Sequence, residues 1–357
     1  MSKSIERRRF LAGSAALGAG VLLGRRTQAA AGGGKTRPDV IVYRGSYPGW
    51  PWITPAGKRL VCVFREDSIH GFSPTGRVLW TASDDAGRTW SPAQVVVDEP
   101  EVDDRNAAVV QLPDGRLMVC YNTYTKKLVS RAFVIFSSDG GATWGKPVPI
   151  ADLDARTRGA PIALSTGDIL VPIYRAPANG SIAALSSDGG RSWRLSPVPD
   201  VPGFVGDEWV VLEVEKKRLI GLVRNAGSRD GVFWRSESRD GGRTWQAPVP
   251  TNVQSQRHPS PPHVDFHGKT PVLTYADRRM VSVSMVTTRD ADFRTWDLES
   301  RLACYRYSPD SSPIRDASYP ASVAVGPRRR LIVDYEIRAE GHWIAGYYVE
   351  LPQGWGD

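Results

Sequence analysis

Cysteine is scarce in this chain. Its 357 residues hold three, Cys62, Cys120 and Cys304. An odd number without paired spacing argues against a disulfide framework and a Cys-pair zinc site. Cys62 and Cys120 fall inside apolar strand patterns and read as buried free thiols. Long amphipathic helical patterns are missing, and so is a Gly-rich phosphate loop. The apolar run at residues 12–23 covers twelve positions, too few to cross a bilayer as a helix. The body of the chain also lacks charge of one sign. Formal net charge is +8, but eight Lys or Arg against one acid, Glu6, fall within residues 1–37, which leaves about +1 for the rest. The basic balance therefore gives no support to nucleic-acid binding. His258 and His263, in RHPSPPHVDF, are bracketed by proline with no third ligand beside them, so no metal is expected there. No cofactor is expected either.

What is present begins with a leader. Arg7, Arg8, Arg9, Phe10 and Leu11 open the apolar run, and Ala29, Ala30 and Ala31 offer a small-residue cleavage region. Residues 1–31 read as an export signal. The arginine pair followed by Phe-Leu fits the twin-arginine pattern, whose machinery exports folded proteins. The expectation is a periplasmic or secreted protein with no stable membrane anchor after cleavage. Residues 32–37 read as a flexible tether, and residues 38–357 as one large domain.

That domain is built on a repeat. Residues 137–144 read SSDGGATW; residues 83–90 read SDDAGRTW, 186–193 SSDGGRSW and 238–245 SRDGGRTW. A fifth, degenerate copy is TRDADFRTW at 288–296. A period near fifty residues marks a repeat architecture. Each copy has hairpin-turn chemistry: an Asp that accepts backbone N–H groups, a Gly for positive φ, and a Trp as apolar anchor. Upstream of each lies an apolar run, a polar turn and a second apolar run, such as AAVVQLPDGRLMVCY at 107–121. Four antiparallel strands per fifty residues make one propeller blade. Aligned on Leu60, Leu117, Leu170, Leu219, Leu273 and Leu331, the blades number six. The sixth lacks the box and ends in strand-like WIAGYYVEL at 343–351. The predicted fold is all-β, a six-bladed propeller of four-stranded antiparallel blades.

The alignment also predicts a ring of polar residues at one mouth. Five residues beyond the aligned leucines stand Arg65, Asn122, Arg175, Arg224, Arg278 and Glu336; about twelve before them stand Arg105, Arg158, Glu208 and Tyr319. Several arginines at one register favour an anionic ligand.

The motif Ser-x-Asp-x-Gly-x-Thr-Trp is the Asp box, and with it the chain resembles the sialidase superfamily. The resemblance covers essentially everything after the leader. It places no catalysis on the boxes themselves. It implies an exo-α-sialidase-like glycoside hydrolase that acts on a glycan with a terminal sialic acid or related acidic sugar. Sialidases attack with a tyrosine, because the substrate's own carboxylate repels a carboxylate nucleophile. Tyr319, in SYPAS, matches the nucleophile, and Glu208, in GDEWVVLEV, the base that activates it. Arg224, in GLVRN, and Arg278, in TYADRR with Arg279 beside it, match two arginines of the carboxylate-binding triad. The third is Arg44, Arg65 or Arg105, since Tyr43-Arg44-Gly45-Ser46 departs from the family's Tyr-Arg-Ile-Pro. Asp67 matches the acid that protonates the leaving group, with His70, Asp103 and Asp104 as alternatives. His258 and His263 would contact the sugar, and Trp50 and Trp52 would stack on it or pack. Two other readings remain open at this level: a different carbohydrate-active propeller, glycosidase or polysaccharide lyase, on an acidic sugar, and a glycan-binding propeller without catalysis.

Overall fold

The computed structural model describes residues 35–175, 180–226, 231–255, 259–307 and 318–356. The predicted export signal and His258 lie outside these residues. The described residues form strands and turns without a helix. Six antiparallel sheets result, each read outward from an inner strand. The inner strands are Gly49–Ala56, Asp103–Gln111, the pair Arg156–Thr157 and Ile162–Ala163, Gly206–Glu215, His263–His267 and Ala321–Gly326. Inner strands of neighbouring blades pack against one another, except that the fourth packs on the second strand, Ile169–Tyr174, of the third blade. The predicted six-bladed propeller is the observed fold.

Each Asp box joins the third and fourth strands of its blade. In the first blade the Asp85 carboxylate accepts from the backbone N–H groups of Arg88 and Thr89, both at 2.9 Å, and from the Thr89 hydroxyl at 2.7 Å. These bonds hold its pKa well below the usual carboxylate range, the Thr89 hydroxyl foremost. The fifth residue of the box needs glycine twice over. Gly141 has φ 97°, and a Cβ there would lie 2.5 Å from the Trp80 ring of the preceding blade. Gly87, Gly190 and Gly242 likewise abut Leu331, Phe136 and Leu170 of the blade before. The box is thus both a turn and an inter-blade contact. In the degenerate copy Phe293 takes this position at φ 56° and packs against Trp296.

The ring closes by pairing the two ends of the described chain. The last blade stacks Ala321–Gly326, Arg329–Arg338 and Gly341–Glu350, and its outer strand is Val40–Gly45. Val40 pairs Gly346 and Gly45 pairs His342. Third and fourth strands are not consecutive here, so a turn motif has nothing to join; this is why the sixth blade has no box. Closure joins the two chain ends in one blade and leaves only the short outer edges of the six sheets. It also places Tyr43 and Arg44, compared above with the family's Tyr-Arg-Ile-Pro, on the outer strand of the last blade. The end of the predicted tether is bound as well. The Lys35 carbonyl accepts from the Arg306 N–H at 2.9 Å, and Lys35 Nζ pairs with Asp39 at 2.6 Å.

Candidate active site

Topology decides which residues meet. Inner strands leave one face of the propeller and second strands return to it. Residues at the start of the first and the end of the second therefore share that face. Third strands run away from it, so the Asp boxes lie on the opposite face. At the shared face a cavity of about 240 Å³ opens between blades. Trp50 and His70 line it from the first blade, Arg105 and Tyr124 from the second. Arg156 and Tyr174 belong to the third, Glu208 to the fourth and Tyr319 to the sixth.

Tyr319, Glu208 and Arg224 form one cluster. Arg224 Nη1 donates to the Tyr319 hydroxyl at 3.0 Å and stands 2.6 Å from Glu208 Oε2. The remaining edge of Arg224 grips Asp207, Nε at 2.8 Å and Nη2 at 2.5 Å. Burial alone would lower the Arg224 pKa, but Asp207 and Glu208 raise it well above the ordinary value. Glu208 is buried, and its carboxyl pKa is raised by that burial; Arg224 opposes the rise and Asp207 adds to it. Tyr174 donates to Glu208 Oε1 at 3.4 Å. Tyr319 is fixed from behind by Asp334. That carboxylate accepts the Tyr319 N–H at 2.7 Å and the Ser318 hydroxyl at 2.5 Å, with Ser318 at φ 64°. Burial pushes the Asp334 pKa up to about 6. Fully buried Arg158 donates to the carbonyls of Trp50 at 3.2 Å and Tyr319 at 3.4 Å, tying the first and sixth blades together.

A second cluster surrounds Arg65, which is completely buried. Its guanidinium grips Asp103 at 2.7 and 2.9 Å, pairs with Asp67, and donates to the carbonyls of Ile69 and Gly71 at 2.7 and 3.2 Å. Asp67 Oδ1 also accepts the Ser68 N–H at 2.6 Å and the Thr75 hydroxyl at 3.1 Å. Neither Arg65 nor Asp67 is among the cavity-lining residues. Together with Asp103 they hold the loop that presents His70. Asp104 accepts the Glu99 N–H at 2.8 Å and has its other oxygen buried without a partner. Burial pushes its pKa up to about 7.

Arg105 lines the cavity with its guanidinium 4.4 Å from the Trp50 ring centre and 5.4 Å from that of Tyr124. Nη2 donates to the His70 carbonyl at 2.9 Å. Arg156 stands 4.8 Å from the same Tyr124 ring. His70 Nδ1 is 3.5 Å from the Tyr47 hydroxyl, and its ring meets Trp50 edge-on at 5.1 Å.

Tyr319, Glu208, His70 and Arg105 thus come together at the cavity, with Arg224 behind them. Arg278 sits close enough to Glu208 to lower its pKa, while Arg279 turns back to grip Asp277 at 3.1 Å. Arg44 does not join them. It is exposed on the seam strand, 4.9 Å over the Trp343 ring, because that strand is the outermost of its blade. His263 does not join them either. It is buried against Trp52, with ring centres 4.8 Å apart, beside a second cavity of about 290 Å³ between the inner strands. Burial, then Arg330 and Arg158, pull its pKa down to about 3, so it is neutral. Tyr124, Arg156, Tyr174, Asp207 and Asp334 escaped the sequence reading. The acid pair in Gly-Asp-Glu-Trp and the alternation Arg-Thr-Arg at 156–158 were the available signals.

Known proteins bear out the architecture. Residues 78–328 match the BNR repeat-like domain. No curated protein sequence matches the chain. Among solved structures, a protein of unknown function from Dyadobacter fermentans superposes with TM-score 0.74 at 20% identity, covering 89% of this chain and 99% of that one. Hadza microbial sialidase Hz136 superposes with TM-score 0.68 at 16% identity, over 86% of this chain and 66% of its own. The NanB sialidase from Streptococcus pneumoniae gives 0.68 at 10%, over 88% and 71%. At these identities the likeness is one of fold: a sialidase-type propeller. The chain belongs to the BNR repeat-like domain family.

Proposed function

We propose that this protein is a glycoside hydrolase that releases a terminal acidic sugar with retention, using Tyr319 as nucleophile. One observation carries the reading: the Tyr319 hydroxyl and the Glu208 carboxylate meet the same Arg224 nitrogen, at 3.0 and 2.6 Å, at the wall of a cavity large enough for a sugar ring. A phenol attacks well only when its proton leaves and its charge is stabilised. Glu208 takes the proton, and the Arg224 guanidinium stabilises the developing phenolate. The Tyr319 oxygen bonds to the anomeric carbon as the bond to the leaving oxygen breaks. His70, which faces the same cavity, gives that oxygen its proton, the role the sequence assigned first to Asp67. Water then attacks the anomeric carbon from the face the leaving group vacated, giving a proton to His70, while the bond to Tyr319 breaks and Glu208 returns the phenol proton. Asp207 and Asp334 are positioning residues: one orients Arg224, the other the Tyr319 backbone.

The test is turnover of fluorogenic α-sialosides and uronides by the parent, Tyr319→Phe and Glu208→Gln. Loss of the base should lower kcat by roughly 10²–10⁴-fold, and loss of the nucleophile by at least as much. Undiminished turnover by Tyr319→Phe sinks the mechanism. A product with a new double bond, absorbing in the near ultraviolet, would replace hydrolysis with elimination.

A further inference from the structure

The cavity has two ends of different chemistry. At the Tyr319 end the arginine is already engaged. Arg224 gives Nε and Nη2 to Asp207 and Nη1 to Tyr319, and Nη1 is ion-paired with Glu208 at 2.6 Å. Asp207 fills its Nε/Nη2 edge, and its other two-bonded edge needs Nη1, which already faces Tyr319 and Glu208. At the other end lies Arg156. Among the described residues its side chain makes no hydrogen bond or ion pair; its contact is the face of Tyr124, at 4.8 Å. Its Nε is buried without a partner. A guanidinium that lines a cavity with its donors unengaged is an anion seat. Arg105 shares the Tyr124 ring with it, at 5.4 Å. Two cations around one aromatic ring repel each other unless an anion joins them. Asp103, 3.4 Å from Arg105, is already held bidentately by Arg65.

We infer that Arg105 and Arg156 seat the anionic group of the substrate against Tyr124. These residues belong to the second and third blades, and the third stands across the ring from the sixth, which carries Tyr319. The Trp50 ring lies 4.4 Å from the Arg105 guanidinium and 6.5 Å from the Tyr319 ring. In a sialic acid the carboxylate is on the reacting carbon itself and would have to lie beside the Tyr319 oxygen. A seat on the far side fits a sugar whose charge is remote from the anomeric carbon: a uronate carboxylate or a sulfate ester. The inference rests on the hydrolase reading only for which end is the reacting end.

The experiment is calorimetric binding of D-glucuronic acid, D-galactose 6-sulfate and N-acetylneuraminic acid to the parent, Tyr319→Phe, Arg156→Gln and Arg156→Lys proteins, with melting curves to verify folding. Glucuronate or the sulfated sugar should bind the parent and Tyr319→Phe alike. Arg156→Gln should weaken that binding about tenfold to a hundredfold, the loss of charge-assisted hydrogen bonds, and Arg156→Lys less. The glucuronate and sulfate arms tell a carboxylate from a sulfate. Preference for N-acetylneuraminic acid, binding indifferent to Arg156→Gln, or no binding of any of the three overturns the inference. If binding depends on Arg156 while no panel substrate is turned over, the seat stands and the hydrolase reading falls. If a sialoside is turned over, lost with Tyr319→Phe and unaffected by Arg156→Gln, the reverse holds.

Discussion

Replacing Asp104 by Asn should flatten the pH dependence of stability. In the folded protein this carboxyl is held at about 7, chiefly by burial; the Glu99 N–H opposes the rise and the charges of Glu99, Asp103 and Asp98 add to it. In the unfolded chain it titrates near 3.9. A folded-state value above the unfolded one means that the native state holds the proton more tightly. The associated stability is complete below about pH 4 and lost as the pH rises through about 7. At about 1.36 kcal/mol per pKa unit the gap is worth roughly 4 kcal/mol, and relaxation around the ionised group brings it to about 2–4 kcal/mol. With an unfolding entropy of about 2.1 cal/mol/K per residue, this becomes a melting shift of roughly 3–6 °C for a propeller of this length. Asn keeps an acceptor for the Glu99 N–H, now 2.8 Å from Asp104. Calorimetric melts of parent and Asp104→Asn should therefore nearly coincide below pH 4.5 and separate at pH 8.5, the variant melting higher. Equal melting at both values would refute burial as the cause, and a less stable variant at pH 8.5 would mean that ionised Asp104 is favourably paired.

The pH–rate profile offers another test. In the proposed mechanism Glu208 must be ionised to act as base; burial raises its pKa, Arg224 opposes the rise and Asp207 adds to it. Asp207→Asn should move the acidic limb to lower pH; an unmoved limb would show that Glu208 is not the group titrating there. Asp188 accepts the Ser192 hydroxyl at 2.6 Å in a box on the face opposite the cavity. Asp188→Ala should lower the melting temperature yet leave kcat and KM within about twofold, since only substitutions at the site itself reach the chemistry. All three cysteines are buried free thiols, and burial raises the pKa of each, that of Cys120 to about 12. A thiol-reactive dye should label none in the native protein and three after denaturation; rapid native labelling would mean the core opens.

What the sequence disclosed follows the range of the interactions involved. The Asp box is local: Ser83, Asp85, Gly87 and Thr89 satisfy one another within one turn, so the motif can be read from a string. Blade count and register follow from its period. Tyr319, Glu208 and Arg224 could be placed at one mouth because register fixes where inner strands begin and second strands end. Arg156 was missed where the register breaks, in the blade whose inner strand is split into Arg156–Thr157 and Ile162–Ala163. Arg44 was misplaced because the seam pairs residues some three hundred positions apart, which no local pattern shows. Asp67 lies where counting put it, but its partner Arg65 was chosen by the fold.

Pairing also decides what each arginine of the ring can do. Six blades offer equivalent positions to one mouth, and arginine stands at several of them. Arg65 is neutralised by Asp67 and Asp103, and Arg224 is held by Asp207. A guanidinium locked in this way gives geometry and field, but it has little left with which to hold a ligand. Arg156, whose described contact is an aromatic face, retains its donors. Anion-binding capacity therefore follows from the donors that each arginine's internal partners leave over, and a count of arginines at the mouth overstates it. In this ring that criterion separates the Tyr319 end, where acids outnumber free donors, from the end at Tyr124. A single carboxylate introduced beside Arg156, as in Tyr124→Asp, should then close the seat by supplying an internal partner. It should abolish anionic-sugar binding while leaving the Tyr319–Arg224–Glu208 geometry in place.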